Sequence, residues 1–430
     1  MQKRPRTECM AARTKRSSLC ALATTLAGIA LLLTLAACSP GNDQTLLPEA
    51  SPSPLSAQVS ATPTAKATLT ADSSGSLGSM LQSRVSHSAT LLQDGRVLVV
   101  GGMDEGFNPL RTAEVFEPKT NRWSLAGEMT EARTEHSATL LKDGRVMVTG
   151  GMNEKLKLIG STEIYDPKTG KWSEHEMMRT VRRGHFTLPL PDGRVAVVGG
   201  VGQTLGGLGI LANITAVGAL LSTEIYDPAT DTWARGEDMI EGHSGGHAVV
   251  LKDGRVLIAG GHNQGEGLAS SEIFDPNSNE WMRTSSMVRK TFANTATVLL
   301  DGSVLFTGGF GMSRSKGGIT PGSEVFDPKT NEWRKAPDTL HGRMGHTNTL
   351  LPDGRVITIG GSTASGPVNS GEYMEPETWL WSEITPMSVE RSQHTATLLN
   401  DGRILVAGGS IQRTVEVYDP DTDEWTSSGP

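Results

Sequence analysis

The side chains best suited to chemistry in this 430-residue chain are its ten histidines, four tyrosines and three cysteines. Five histidines, His87, His136, His185, His346 and His394, each stand seven residues before an Asp-Gly pair. Such a ring of imidazoles could ligate a metal or move protons. Three more, His243, His247 and His262, lie near Glu241, and three histidines with a carboxylate could bind zinc. The cysteines are Cys9, Cys20 and Cys38, so beyond position 38 there is no thiol for a nucleophile, a zinc knuckle or a disulfide. The first 37 residues hold six of the 39 basic side chains and one of the 47 acidic ones, leaving 33 basic against 46 acidic. So acidic a body lacks the cationic stripe that phosphate contacts need, which excludes nucleic acid as a partner.

The elements that must position these groups are written as a repeat. Asp-Gly recurs at Asp94, Asp143, Asp192, Asp253, Asp301, Asp353 and Asp401, and Gly-Gly begins seven residues after each Asp. Glu recurs at Glu114, Glu163, Glu224, Glu272, Glu324, Glu372 and Glu416, and a Trp follows each by nine residues, from Trp123 to Trp425. The mean period is about 51 residues. Within a unit, HSATLLQDGRVLVVGG predicts two alternating strands joined by a two-residue Asp-Gly hairpin, placing His87 opposite Gly102 and His247 opposite Gly260. TEIYDPKTGKW adds a third strand, an Asp-Pro turn and a fourth. A lone four-stranded sheet cannot bury both faces, so seven must stack around an axis.

The apolar run into Gly-Gly, the Tyr or Phe before Asp-Pro and the later Trp resemble the kelch repeat, whose units run to roughly 50 residues. The resemblance covers Arg84 to Pro430. It implies an all-β, seven-bladed propeller of four antiparallel strands per blade, over 80–430, with units of about 84–132, 133–181, 182–242, 243–290, 291–342, 343–390 and 391–430. Met80 stands four residues before Arg84, as Met129 stands before Arg133, so the ring is expected to close between the last unit and the first. The recurrent histidines, facing a glycine, are expected to pack blades rather than bind metal, and the seven Trp to pack between blades. The repeated Glu and the Arg at Arg84, Arg133, Arg182, Arg343 and Arg391 form either inter-blade ion pairs or solvated faces. His243 and His247 of the Gly-rich EGHSGGH, and His262 just after Gly260-Gly261, are expected to be surface histidines without metal, and no cofactor is expected.

All length variation lies between Gly-Gly and Glu: 13, 13, 25, 12, 16, 12 and 8 residues from the first Gly. These loops share one face, and kelch propellers are similar in using that face for partners. The longest, Val201 to Ser222, is apolar and uncharged. Its Leu205, Leu208, Ile210, Leu211, Ile214, Val217 and Leu220 form either an interface or a hairpin packed on the propeller itself. Copper radical oxidases also carry a kelch propeller, but their cysteine–tyrosine cross-link has no cysteine here. The reading is a monomeric, non-enzymatic binding module for a protein or a carbohydrate, with a carbohydrate-active enzyme such as a sugar epimerase as the alternative.

Residues 1–37 combine a basic start with a short apolar core, the pattern of a secretory signal. Leu35-Ala36-Ala37-Cys38 resembles the bacterial lipoprotein box, which implies lipid on Cys38 and a membrane anchor facing the periplasm or cell surface. Residues 38–79, rich in Ser, Pro, Thr and Ala, are expected to be a disordered tether. Cys38→Ala is expected to release the protein from the membrane fraction or leave it uncleaved. Unchanged membrane association with normal processing, read by fractionation and mass spectrometry, would contradict the assignment.

Overall fold

The computed structural model describes residues 76–202, 218–312 and 317–428. Seven four-stranded antiparallel sheets follow one another along the chain, with short extra strands in the second-to-third loops of blades 3 to 6. Blade 1 is Ser88–Leu91, Val97–Val100, Thr112–Glu117 and Arg122–Glu128. Blade 7 is Thr395–Leu398, Ile404–Ala407, Val415–Asp419 and Glu424–Ser427. The first strands of successive blades touch in order around an axis, and that of blade 7 returns to that of blade 1. The chain is therefore an all-β, seven-bladed propeller.

The hairpin between first and second strands differs from the expected one. Leu92 N–H donates to Arg96 O (2.8 Å) and Gly95 N–H to Leu92 O (3.0 Å), enclosing the three residues Gln93-Asp94-Gly95. Gly95 closes the turn at φ 89°, where a Cβ would be strained. The extra residue shifts the pairing by one, so His247 lies opposite Ala259 rather than Gly260. Nor does the second strand alternate. Val97–Val100 is buried at every position because both sheet faces are covered. Val97 and Val99 pack toward blade 7, while Leu98 and Val100 pack toward blade 2. Seven such apolar clusters fill the seven interfaces between blades.

Each Trp serves an interface, as its recurrence implies. In six blades it pairs with the aromatic of its own third strand, as Tyr165 with Trp172 at 5.2 Å between rings, and in blade 6 Trp381 faces Met374. In blades 2 to 7 its indole N–H reaches the preceding blade, as Trp172 donates to Ala126 O (2.9 Å) and Trp425 to Thr385 O (2.6 Å), whereas that of Trp123 bonds nothing among the described residues. The ring closes by the same repeated bond. Met129 N–H donates to Arg111 O (2.8 Å), and Met80 N–H donates to Arg413 O (3.0 Å) at the equivalent place in blade 7.

The Arg and Glu do form ion pairs, but each pair lies within one blade rather than between blades, and all are buried. Arg84 Nη2 meets Glu114 Oε1 at 2.6 Å, Arg133 meets Glu163 at 2.7 Å and Arg391 meets Glu416 at 2.8 Å, with side chains at most 2% exposed. Arg182–Glu224 and Arg343–Glu372 repeat the pair. The carboxylate also accepts backbone N–H groups from the incoming link, as Glu163 does from Thr130 (2.7 Å). The same Arg's own carbonyl accepts from the preceding blade, as Arg133 O does from Gly102 N–H (2.9 Å). Five arginines thus join blade to blade.

Removing one member of such a pair strands a buried charge, at a cost of about 3–5 kcal/mol. Arg133→Met should lower the urea-unfolding free energy by that amount, and adding Glu163→Leu should restore most of it. A single variant within about 1 kcal/mol of the parent would show that the pair carries no such role.

Candidate functional site

The two ends of the propeller are built differently. At one end the Asp-Gly and Asp-Pro turns repeat and are stitched together. Arg96 pairs with Asp94 (2.7 Å) and donates to Pro167 O of the next blade (3.1 Å). Arg355 repeats this toward Pro420 O (3.3 Å). At the other end stand the Gly-Gly to Glu loops and the links between blades. Twelve large apolar side chains are exposed among the described residues, and eight of them lie at this end. Phe107, Leu156, Leu221 and Ile411 lie on loops, and Met177, Ile240, Val288 and Leu340 lie on links.

Two of the loop tips are held by identical means. Asp104 Oδ1 accepts N–H groups from Gly106 (2.8 Å) and Asn108 (2.9 Å), and Asn153 Oδ1 accepts those of Lys155 and Lys157 (both 3.1 Å). This cage places Phe107 at φ 61° and Leu156 at φ 56°, a left-handed backbone that bulky side chains rarely adopt. Both apolar side chains are exposed to water. Sequence reasoning missed both tips. The signal was present as an Asp or Asn four residues before a polar residue, with the apolar residue between.

Of the loop residues expected to bind, Leu205, Leu208, Ile210, Leu211, Ile214 and Val217 lie outside the described residues, as does Cys38. Leu220 is placed at the loop's foot. Its N–H donates to Gly200 O (2.9 Å), and its side chain fills the space a Cβ on Gly202 would need (2.6 Å).

The structure sends His243, His247 and His262 in three directions. His243 is fully buried and stands in for the belt arginine: Nδ1 donates to Gly260 O (2.7 Å) and Nε2 lies 3.7 Å from Glu272. His247 packs on Phe186 of blade 3 and His262 on Phe292 of blade 5, both at 5.5 Å between rings. They are thus blade-packing groups rather than surface histidines, because the belt and the aromatic neighbours draw each one inward. No group of three His, Cys, Asp or Glu that could hold a metal ion occurs among the described residues.

The recurrent histidines pack as the glycine column implied. A Cβ on Gly102 would meet His87 Cβ at 2.8 Å, and one on Gly101 would meet the imidazole of His136 in blade 2, also at 2.8 Å. Four of the five rings then reach a hydroxyl of the preceding blade, and His185 bonds none among the described residues. His136 Nε2 bonds Ser88 (2.9 Å), His394 bonds Thr347 (3.0 Å), and His87 bonds Thr395 across the closure (3.0 Å).

Comparison with known proteins follows this geometry. Residues 246–430 match the KLHDC2/KLHL20/DRC7 Kelch-repeats domain, and residues 84–130 and 134–174 match the Kelch motif. No curated protein matches by sequence. Among solved structures, a novel fungal alcohol oxidase of the AA5 family, in complex with copper, superposes with a TM-score of 0.59 at 18% identity. That match covers 77% of this chain and 71% of the oxidase. The structure of YjhT gives 0.56 at 18% identity, over 72% of this chain and 99% of its own. At such identity the likeness is one of fold. The residues here do not fit a cysteine–tyrosine copper centre. The described residues contain no cysteine, and Tyr165, Tyr226, Tyr373 and Tyr418 all lie in third strands, away from the axis.

The histidine ring makes stability sensitive to acid. Burial, reinforced by the adjacent belt arginines, holds His87, His136 and His346 down at about 3 and His185 and His394 well below the usual value. The unfolded chain takes up these protons near pH 6.5, so between about 6.5 and 3 it binds more protons than the fold. Stability is therefore full above that window and falls as pH drops through it, by about 1.4 kcal/mol per pH unit for each histidine. His136→Asn, which copies Asn294 of blade 5, should reduce the slope of unfolding free energy against pH by that amount. An unchanged slope between about pH 6 and 4.5 would refute the linkage.

Proposed function

The chain is a kelch-repeat protein, and we propose that it is a non-enzymatic module, exported and lipid-anchored at Cys38, that binds another protein through its variable-loop face. The concentration of exposed apolar side chains and of every length change on one end carries this reading. Binding residues gather on variable loops of a rigid scaffold, and clustered apolar exposure marks an interface. The exposed groups are mostly aliphatic, which suits a protein partner better than a glycan, for which aromatic platforms and convergent polar groups would be needed. A sugar-modifying enzyme is the weaker reading for the same reason. Residues 38–79 would give the propeller reach from the membrane.

The test needs a partner identified by crosslinking in the envelope fraction and an affinity measured by calorimetry. Replacing Phe107, Leu156 and Ile411 together with Asp should weaken binding by more than about 2 kcal/mol, the scale of losing a hot spot. Lys119→Glu and Lys168→Glu, on exposed positions of the turn face, should leave affinity unchanged. Equal losses from both faces, with folding intact by circular dichroism, would overturn the assignment.

A further inference from the structure

The Glu column is complete in all seven blades, but its cation is not delivered alike. Five blades supply Arg and blade 4 supplies His243, each facing Oε1 of its Glu. In blade 5 the position is Thr291, and the guanidinium comes from Arg289, two residues earlier on the link. It lies differently from a belt arginine. In blade 1, Arg84 Nη1 donates to Gly101 O (2.8 Å) and Thr112 O (3.1 Å) while Nη2 meets Glu114. Arg289 Nη2 instead donates to the half-exposed Asp338 (3.2 Å). Its Nη1 turns inward beside Gly322, where a Cβ would stand 2.3 Å from it, and is buried without a partner among the described residues.

Arg289, Asn294 and Glu324 line one cavity, with Met287 and Phe306 as its apolar wall. About 10 Å³ of it is open to the centre of a water-sized body, room for one water molecule. Asn294 is 5% exposed; its Nδ2 donates to Thr291 (3.2 Å), and its Oδ1 is buried without a hydrogen-bond partner among the described residues. Glu324 is 3% exposed and accepts Val288 N–H (2.7 Å). Burial draws its carboxyl above the usual range, against the Val288 N–H and the Arg289 charge, which hold it down. The cavity thus needs an occupant that accepts a hydrogen bond from Nη1 and donates one to Oδ1. A cation cannot accept that bond, and an anion would meet the Glu324 carboxylate. Water does both. The sequence carries the same pattern. Blade 5 alone has Thr in the arginine column together with Asn in place of the recurrent histidine, and both replacements are shorter.

We propose that this cavity holds one ordered water, which accepts from Arg289 Nη1 and donates to Asn294 Oδ1 and to the Glu324 carboxylate. Blade 5 then makes through a water the cation–carboxylate contact that five other blades make directly, and a bridging water serves nearly as well as a direct hydrogen bond. Val288, exposed on the proposed binding face, is held by the same carboxylate, so the water supports that part of the face.

High-resolution crystals of the purified protein should show one density peak about 2.5–3.2 Å from Arg289 Nη1, Asn294 Oδ1 and a Glu324 oxygen. Magnetic relaxation dispersion of oxygen-17, which counts long-lived internal waters, gives the solution measure. Thr291→Arg with Asn294→His restores both columns and should lower that count by one, with the guanidinium in the water's place in crystals. Asn294→Leu removes the acceptor and should also lower the count by one, which keeps the test open if the double variant folds poorly. An empty cavity, Arg289 turned in to pair directly with Glu324, an occupant not bonded to Nη1, or a count unchanged in a folded variant would overturn the proposal.

Discussion

In five of the seven blades one guanidinium closes the base of the variable loop, and much of the molecule follows from that contact. Arg182 Nη1 donates to Gly199 O (3.2 Å) where the loop of blade 3 leaves the sheet and to Ser222 O (3.1 Å) where it returns. Arg391 does the same in blade 7, at Gly408 O (2.8 Å) and Thr414 O (3.3 Å). The first Gly-to-Glu interval spans 25 residues and the second 8, yet the clamp is the same. Burying a charged group demands that it be paired and hydrogen-bonded. Here Nη1 and Nη2 of each guanidinium are bonded, while Nε has no partner among the described residues. The demand is met only when both roots of the loop, the Glu of the third strand and the incoming link all stand in register. Exchanging a buried pair for apolar groups is often neutral in net energy, whereas mispairing is not. The belt therefore fixes geometry more than it adds stability, and the apolar clusters between blades supply the burial that drives folding.

The histidine column works with the belt rather than beside it. Each belt carbonyl takes the N–H of the second glycine in the preceding blade, and each imidazole fills the space above the first glycine of that blade. A side chain at either glycine would displace both. Neutral imidazoles beside fixed guanidinium groups also avoid placing two cations in one buried layer, which is why burial and the arginines depress the same histidines.

Much of this was legible in the residues. Equal spacing of Asp-Gly, Gly-Gly, Glu and Trp gave the strand order, the unit count and the closing role of Met80. Spacing does not say which side of a strand faces inward, so it left the Arg–Glu pairs open between buried and solvated. The Asp-Gly dipeptide suits two hairpin lengths, and the three-residue form that occurs moved His247 by one position. The three histidines of blade 4 looked like a cluster because they are near in sequence. His243 in fact belongs to the belt column and the other two to aromatic contacts with different blades. Comparing columns would have exposed the odd blade, since seven glutamates face five arginines and one histidine.

Blade 5 shows what the clamp does by lacking it. With Thr291 in place of arginine, no side chain spans the two loop roots. The backbone pairing that other blades also show at their loop roots is longer here. Thr291–Phe292 pairs with Phe310–Met312, which pairs in turn with Gly317–Ile319, giving the loop a three-stranded ribbon of its own. Phe292 and Phe310 pack at 5.3 Å between rings along that ribbon. A ribbon restrains the loop along its length, whereas a guanidinium restrains only its feet. Loops held at the feet alone are free to differ in length and tip without disturbing the blade beneath. That freedom lets one rigid ring present loops as different as the caged tip of Phe107 and the 25-residue interval of blade 3 on a single face. The variable-loop face is thus shaped, in five of the seven blades, by a buried charge that had to be satisfied on both sides of the loop.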